Sequence, residues 1–206
     1  MGITTLQALE ITTRTDLRLR SYNIPTEIRH HWWWISSYSG SLLKSETPPV
    51  FVRQQVYPSR LISALAMCAD PYRCKWASPL AAISGINQDQ AILKMYRRLV
   101  WISNKRYLLS LTYSQISSPI FVTTQEAFSA ISQIDDESSN RSERCLQRCL
   151  LAIKTSRSFR EKGVLFIGSM VETREMHAWI IEDGEQPDHE DRSWINHRPL
   201  LAYTFA

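Results

Sequence analysis

No apolar run in the chain approaches the roughly 20 residues that a membrane-spanning helix needs. The first twenty residues, MGITTLQALEITTRTDLRLR, lack a basic flank followed by a short apolar core, so export is not expected. Charge of one sign is not in strong excess. Lys and Arg number 24 against 20 Asp and Glu, a net charge of +4, and they are scattered. That balance is too mild to argue for a nucleic-acid surface. No internal repeat or low-complexity segment appears, so a solenoid is not expected. Cysteine is sparse, with four in 206 residues. Without an export signal these read as free thiols rather than a disulfide framework, and the cytoplasm is the expected compartment.

What is present fits a globular protein. Hydrophobic residues make up 44% and charged residues 21%, and the length suits one large domain or two small ones with a real core. Three zones follow along the chain. To about residue 58, HHWWWISSYSG and PPVFVRQQVYP are rich in β-favouring residues and bounded by Pro and Gly, which predicts short strands. From Ser59 to about Asn104, SRLISALAMCA, with Ser59 as its cap, and DQAILKMYRRLVWIS carry helical spacing. Beyond the polar stretch DDESSNRSER, the segment ERCLQRCLLAIKTS predicts a helix with Cys145, Cys149 and Ala152 on one face. GVLFIGSMV is short and continuously apolar, as a buried strand is. EMHAWIIEDGEQPD reads as a hairpin turning at Asp183-Gly184.

Two cysteines four residues apart permit a metal site, a disulfide, or one nucleophile with a bystander. Nucleophilic chemistry needs a thiolate, a base to create it, and a group that fixes the base's tautomer. The third zone has the parts: a Cys at a helix start, where the helix dipole favours negative charge, a His on a strand, and carboxylates across a hairpin. For a zinc site through Cys145, Cys149 and His177, the cysteine spacing is not the usual structural one and no fourth ligand is evident.

The ordered motifs CLQRCLLA, GVLFIGSM and MHAWIIEDG resemble those of the transglutaminase-like leader peptidases of lasso-peptide biosynthesis, the B proteins of those pathways. Cys145, Leu146 and Arg148, then Gly163, Ile167 and Gly168, then His177, Ala178 and Trp179 carry the likeness. It implies an α+β chain: a papain/transglutaminase-like cysteine protease domain over residues 89–206, preceded over 1–88 by a winged-helix-like leader-recognition region. It implies Cys145 as nucleophile and His177 as base, with Cys149 where the family carries Ser. Neither a cofactor nor a metal is implied. The implied partners are a lasso precursor peptide, held by its leader, and an ATP-dependent, asparagine-synthetase-like cyclase that closes the macrolactam ring; nucleic acid and membrane are not among them. A transamidating enzyme on the same triad and a noncatalytic precursor-presenting scaffold are the alternatives.

The acid is where the chain departs from the family pattern, whose expected position is occupied by His189, flanked by Asp188, Glu190 and Asp191. A two-residue turn at Asp183-Gly184 would set Glu190 opposite His177 and Asp188 opposite Trp179, with Asp191 pointing away. Asp188 is the expected third member and Glu190 the runner-up; a longer turn or a bulge would favour Asp191. His30, His31, His189 and His197 are expected at the surface. The triplet Trp32-Trp33-Trp34 alternates faces in a strand, so at least one ring should point away from the core. The family likeness reads that region as a surface that captures the leader by strand addition.

Overall fold

The computed structural model describes residues 19–35, 41–53, 55–70, 75–76, 119–135, 144–170, 173 and 175–205. In chain order the elements are β1 (Leu19–Asn23), β2 (Thr26–Ile28), β3 (His31–Ile35), β4 (Leu42–Ser45), α1 (Ser59–Ala69), β5 (Lys75–Trp76), α2 (Thr124–Asp135), α3 (Cys145–Thr155), α4 (Ser158–Lys162), β6 (Gly163–Met170), β7 (Met176–Glu182), β8 (Glu185–Gln186) and β9 (His197–Phe205). They build an α+β fold with two sheets. The larger runs β1-β9-β6-β7-β8-β5 and is antiparallel except for the two-residue β5–β8 pair. The smaller is the antiparallel sheet β2-β3-β4.

The large sheet is covered on both faces, which is why GVLFIGSM reads as an unbroken apolar run rather than an alternation. Side chains alternate across the pleat. Val164, Phe166, Trp179, Ile181 and Ala202 bury against Leu61, Ala64 and Cys68 of α1. Leu165, Ile180, Leu201 and Tyr203 face the other way, onto Phe128 and Ile131 of α2 and Leu151 and Ala152 of α3.

The N-terminal elements are not a body apart. β1 pairs along its whole length with β9, the last strand of the chain, and α1 packs on the same sheet. The boundary expected at residues 88 and 89 lies outside the described residues, as does the helix expected in DQAILKMYRRLVWIS. Two local expectations are corrected. VFVR (Val50–Arg53) is a turn of 3₁₀ helix, not a strand. It follows Pro48-Pro49, and among the described residues no strand pairs with it. Ser59 is the first helical residue of α1 rather than its cap; Pro58 holds the cap position and no side chain caps the helix.

The Trp triplet does form the central strand of the small sheet. Ile35 is buried in the α2/α3-side core and Trp33 packs against that core, while Trp34 meets Phe51 edge-on at 6.0 Å. At the other end of the chain, Asp183 and Gly184 both have positive φ, 53° and 79°, and Glu182 pairs with Glu185. That is a two-residue turn of the kind Asp-Gly favours.

Candidate active site

β8 is only two residues long, and Pro187 follows it. Pro has no N–H for a ladder, so strand pairing stops there. The edge of β7 from Ile180 back to Met176 therefore has no strand on that side among the described residues. The start of α3 fills the gap. The Ala178 N–H donates to Cys145 Sγ at 3.4 Å, and Cys149 Sγ donates to the Ala178 carbonyl at 3.4 Å. In a strand both backbone groups of one residue point to the same side, so the two sulfurs occupy the positions a neighbouring strand would. The spacing of four residues that left the two cysteines ambiguous is what lets one helix face grip both groups.

The two thiols are not equivalent. Cys149 is fully buried, and burial, followed by the nearby Cys145, Asp188 and Asp191, pushes its thiol well above the ordinary range. It is an inert hydrogen-bond donor. Cys145 is partly exposed at the first residue of α3, where Arg144 provides no side-chain cap. Its place at the helix start sets its sulfur where the helix dipole favours negative charge.

His177 follows from the strand. Its ring stacks on Trp179, two residues along on the same face, at 6.1 Å and 12°. His197 of β9 covers it at 4.9 Å. Nε2 bonds Asp191 Oδ2 at 2.7 Å and Ser193 Oγ at 2.9 Å, leaving Nδ1 as the open ring nitrogen. Burial alone would lower the imidazole's pKa. Hydrogen bonds and charge from Asp191 and Cys145 outweigh it and raise the value from 6.5 to about 9. Asp191 shows the converse. Burial would raise its carboxyl, but His177 and the side chain and backbone N–H of Ser193 hold it below the usual range.

No family model matches the chain, and no curated protein or solved structure matches it. What the site can do is therefore read from its own geometry.

Asp188 is not against His177. Arg148 Nη2 binds both its carboxylate oxygens, at 3.3 and 3.0 Å, inside the protein. Burial outweighs that ion pair and leaves Asp188 above its ordinary range. Arg148 also donates to Ser132 Oγ at 3.1 Å, and Ser132 donates to Glu190 Oε2 at 2.8 Å. Both Asp188 and Glu190 thus belong to an Arg148-centred network, and Asp191 is the acid on the imidazole. The turn itself is as expected; extending its strand register past Pro187 is what misplaces the acids. Beyond Pro187 the chain bends, Asp191 N–H bonding the Asp188 carbonyl at 3.0 Å, and that bend turns the Asp191 carboxylate onto His177.

Cys145, His177, Asp191 and Ser193 line one cavity of about 250 Å³, with Phe128 and Glu190 on its wall. Among the described residues no group of three or more His, Cys, Asp or Glu side chains is arranged to hold a metal ion. None of Cys68, Cys145 and Cys149 is in a disulfide, and Cys74 lies outside the described residues. Sequence reasoning missed Ser193 and His197. His197, expected at the surface, is buried, and only the packing of β9 beside β6 brings it over His177. No spacing along the chain marks it.

Proposed function

We propose that the chain is a cysteine endopeptidase that removes the leader from a lasso precursor peptide, so that an ATP-dependent partner cyclase can close the ring. The observation that carries the reading is an imidazole held by a carboxylate on Nε2 and lining one cavity with a partly exposed thiol at a helix start. The resemblance of the CLQR, GVLFIG and MHAW segments to lasso leader peptidases supplies the substrate class. It also suggests a papain/transglutaminase-like protease fold, with helix Cys, strand His and acid in that chain order.

His177 takes the Cys145 proton, and Asp191 and Ser193 orient the ring and stabilise the imidazolium. The thiolate attacks the scissile carbonyl, while the N-terminal turn of α3 offers N–H groups to the developing oxyanion. Collapse breaks the C–N bond, and His177 returns its proton to the departing amine, which is the freed core N-terminus. Water then opens the thioester by the same route, releasing the leader carboxylate and restoring the thiol. Arg148 with Asp188 braces the wall of the cavity rather than entering the proton path.

Leader capture belongs on the small sheet. β4 is an outer strand with no further partner among the described residues, and it carries the exposed Leu42 and Leu43. That is the edge an extended peptide could extend. Because β1 needs β9, a fragment ending near residue 88 is unsuited to testing this, and the full chain is required. The enzyme would act in the cytoplasm, beside the cyclase. In the test, full-length protein is mixed with precursor peptide in ¹⁸O water and the products are weighed by mass spectrometry. Leader release with one ¹⁸O in the new carboxylate, abolished in Cys145→Ala, is expected. Release that persists in Cys145→Ala, or a leader joined to an added amine, would overturn the reading.

A further inference from the structure

A triad gives His177 two partners, yet the ring is met by more. Trp179 and His197 both pack against it, and against each other at 6.5 Å. Its Nε2 edge faces two acceptors, Asp191 Oδ2 and Ser193 Oγ. Ser193 can serve the ring as an acceptor because its own proton is committed. Its Oγ lies 2.6 Å from Asp191 Oδ1, which can only accept, so the hydroxyl donates there. Its backbone N–H donates to the same carboxylate oxygen at 3.0 Å.

The segment that delivers this hydroxyl is anchored on both sides. Ser193 opens a 3₁₀ turn, Ser193–Asn196, whose Trp194 is buried and stacked on Trp179 at 6.4 Å. The Ser193 carbonyl accepts from His197 Nδ1 at 2.8 Å. Backbone and side chain are thus both fixed, and the hydroxyl cannot turn away without breaking the carboxylate bond.

We infer that Ser193 is a fourth, positioning member of the site: its hydroxyl locks the Asp191 carboxylate and supplies His177 Nε2–H with a second acceptor, so that the imidazolium is held in one orientation toward Cys145. This rests on the reading of Cys145 and His177 as a thiol–imidazole pair. The hydroxyl acts through His177 and touches neither thiol nor substrate. Among the described residues, the charged or titratable groups around the ring are Cys145 and, deeper, Cys149 and Arg148 from α3, Asp191 and Arg192 from the loop, His197 from β9 with Glu175 near it, and, one step behind Asp191, Asp188 and Glu190. Among these, burial and the neighbouring His177 hold His197 below its ordinary range.

The experiment needs no peptide substrate. The rate at which iodoacetamide alkylates Cys145, identified by peptide mapping, is followed against pH in the full-length wild-type protein and in Ser193→Ala and Ser193→Thr. Near-UV circular dichroism checks each fold. Without the hydroxyl the imidazolium is no longer held toward Cys145 and the thiolate–imidazolium pair loses its alignment, so the acid limb of the alkylation profile should move up by about one pH unit, a loss of about tenfold in rate at a fixed pH on that limb. Ser193→Thr, which keeps the hydroxyl, should follow the wild type. Ser193→Gly removes the same group with no added bulk and decides the matter should the alanine variant not fold. A wild-type profile with an imidazole-coupled acid limb that Ser193→Ala or Ser193→Gly leaves in place would overturn the role of Ser193 alone. A wild-type Cys145 that alkylates like a free thiol would overturn the thiol–imidazole reading and the inference with it.

Discussion

Asp191→Asn and Asp188→Asn are nearly isosteric changes three residues apart, and they should fail in opposite ways. His177 stands at about 9 against an ordinary 6.5, and the carboxylate of Asp191 leads the causes that raise it against burial. A shift of that size is worth about 3 kcal/mol of preference for the imidazolium. An amide at position 191 can still accept a hydrogen bond but carries no charge. It can also present its NH₂ group to the ring and select the wrong tautomer. Turnover should fall by about 10²- to 10⁴-fold, the scale seen when a tautomer-fixing carboxylate is lost, with the fold intact. Asp188 faces Arg148 instead, at 3.0 Å, with Arg148 only 4% exposed. Neutralising Asp188 leaves a buried guanidinium without its counter-charge, which costs about 3–5 kcal/mol. At roughly 2–4 °C per kcal/mol for a chain of this size, the melting temperature should drop by on the order of 10 °C. Turnover per folded molecule should stay within about tenfold of wild type, since Asp188 is outside the proton path. Thermal unfolding by circular dichroism, paired with leader-cleavage rates well below the transition, separates the two. An Asp188→Asn protein that melts like wild type yet does not cleave, beside an active Asp191→Asn protein, would refute the assignment.

Two more outcomes follow from the same geometry. Gly168→Ala would set a Cβ 2.2 Å from the Arg198 carbonyl oxygen and 2.7 Å from Trp179 Cη2, where β6 and β9 approach closely. Backbone must move, so a loss of at least about 2 kcal/mol is expected by urea unfolding, together with lower turnover because Trp179 backs His177; an unchanged midpoint would contradict this close approach. Stability should also depend on alkaline pH: with a folded value near 9 above an unfolded 6.5, the His177 contribution is complete below pH 6.5 and lost as pH rises through 9. Denaturation at pH 6 and pH 9.5 should differ by at most about 3 kcal/mol from this group, and Asp191→Asn should remove most of that difference; equal slopes in both proteins would show that Asp191 is not the partner.

Short-range order was legible in the residues themselves. The buried strand GVLFIGSM, the helix from Cys145 and the Asp183-Gly184 turn each rest on period, capping position or backbone conformation, all local properties. The α+β class follows from them. Local reasoning also placed Cys145 and His177 at a helix start and on a strand, where a thiol and an imidazole can meet. It failed where a strand stopped. Ladder logic put Glu190 opposite His177 and Asp188 beside it, because pairing was carried past Pro187, where the missing N–H ends it. Three acids within four residues, Asp188, Glu190 and Asp191, are indistinguishable by composition. What separated them was which one met a guanidinium and which an imidazole. Those partners come from α3 and β7, and they reach the loop only through the packing of the helix on the sheet edge. The same holds for His197 and for the pairing of β1 with β9, which spans nearly the whole chain. Contacts between segments far apart in sequence leave no periodic trace in either segment, so the environment of each ionisable group was settled by tertiary packing alone.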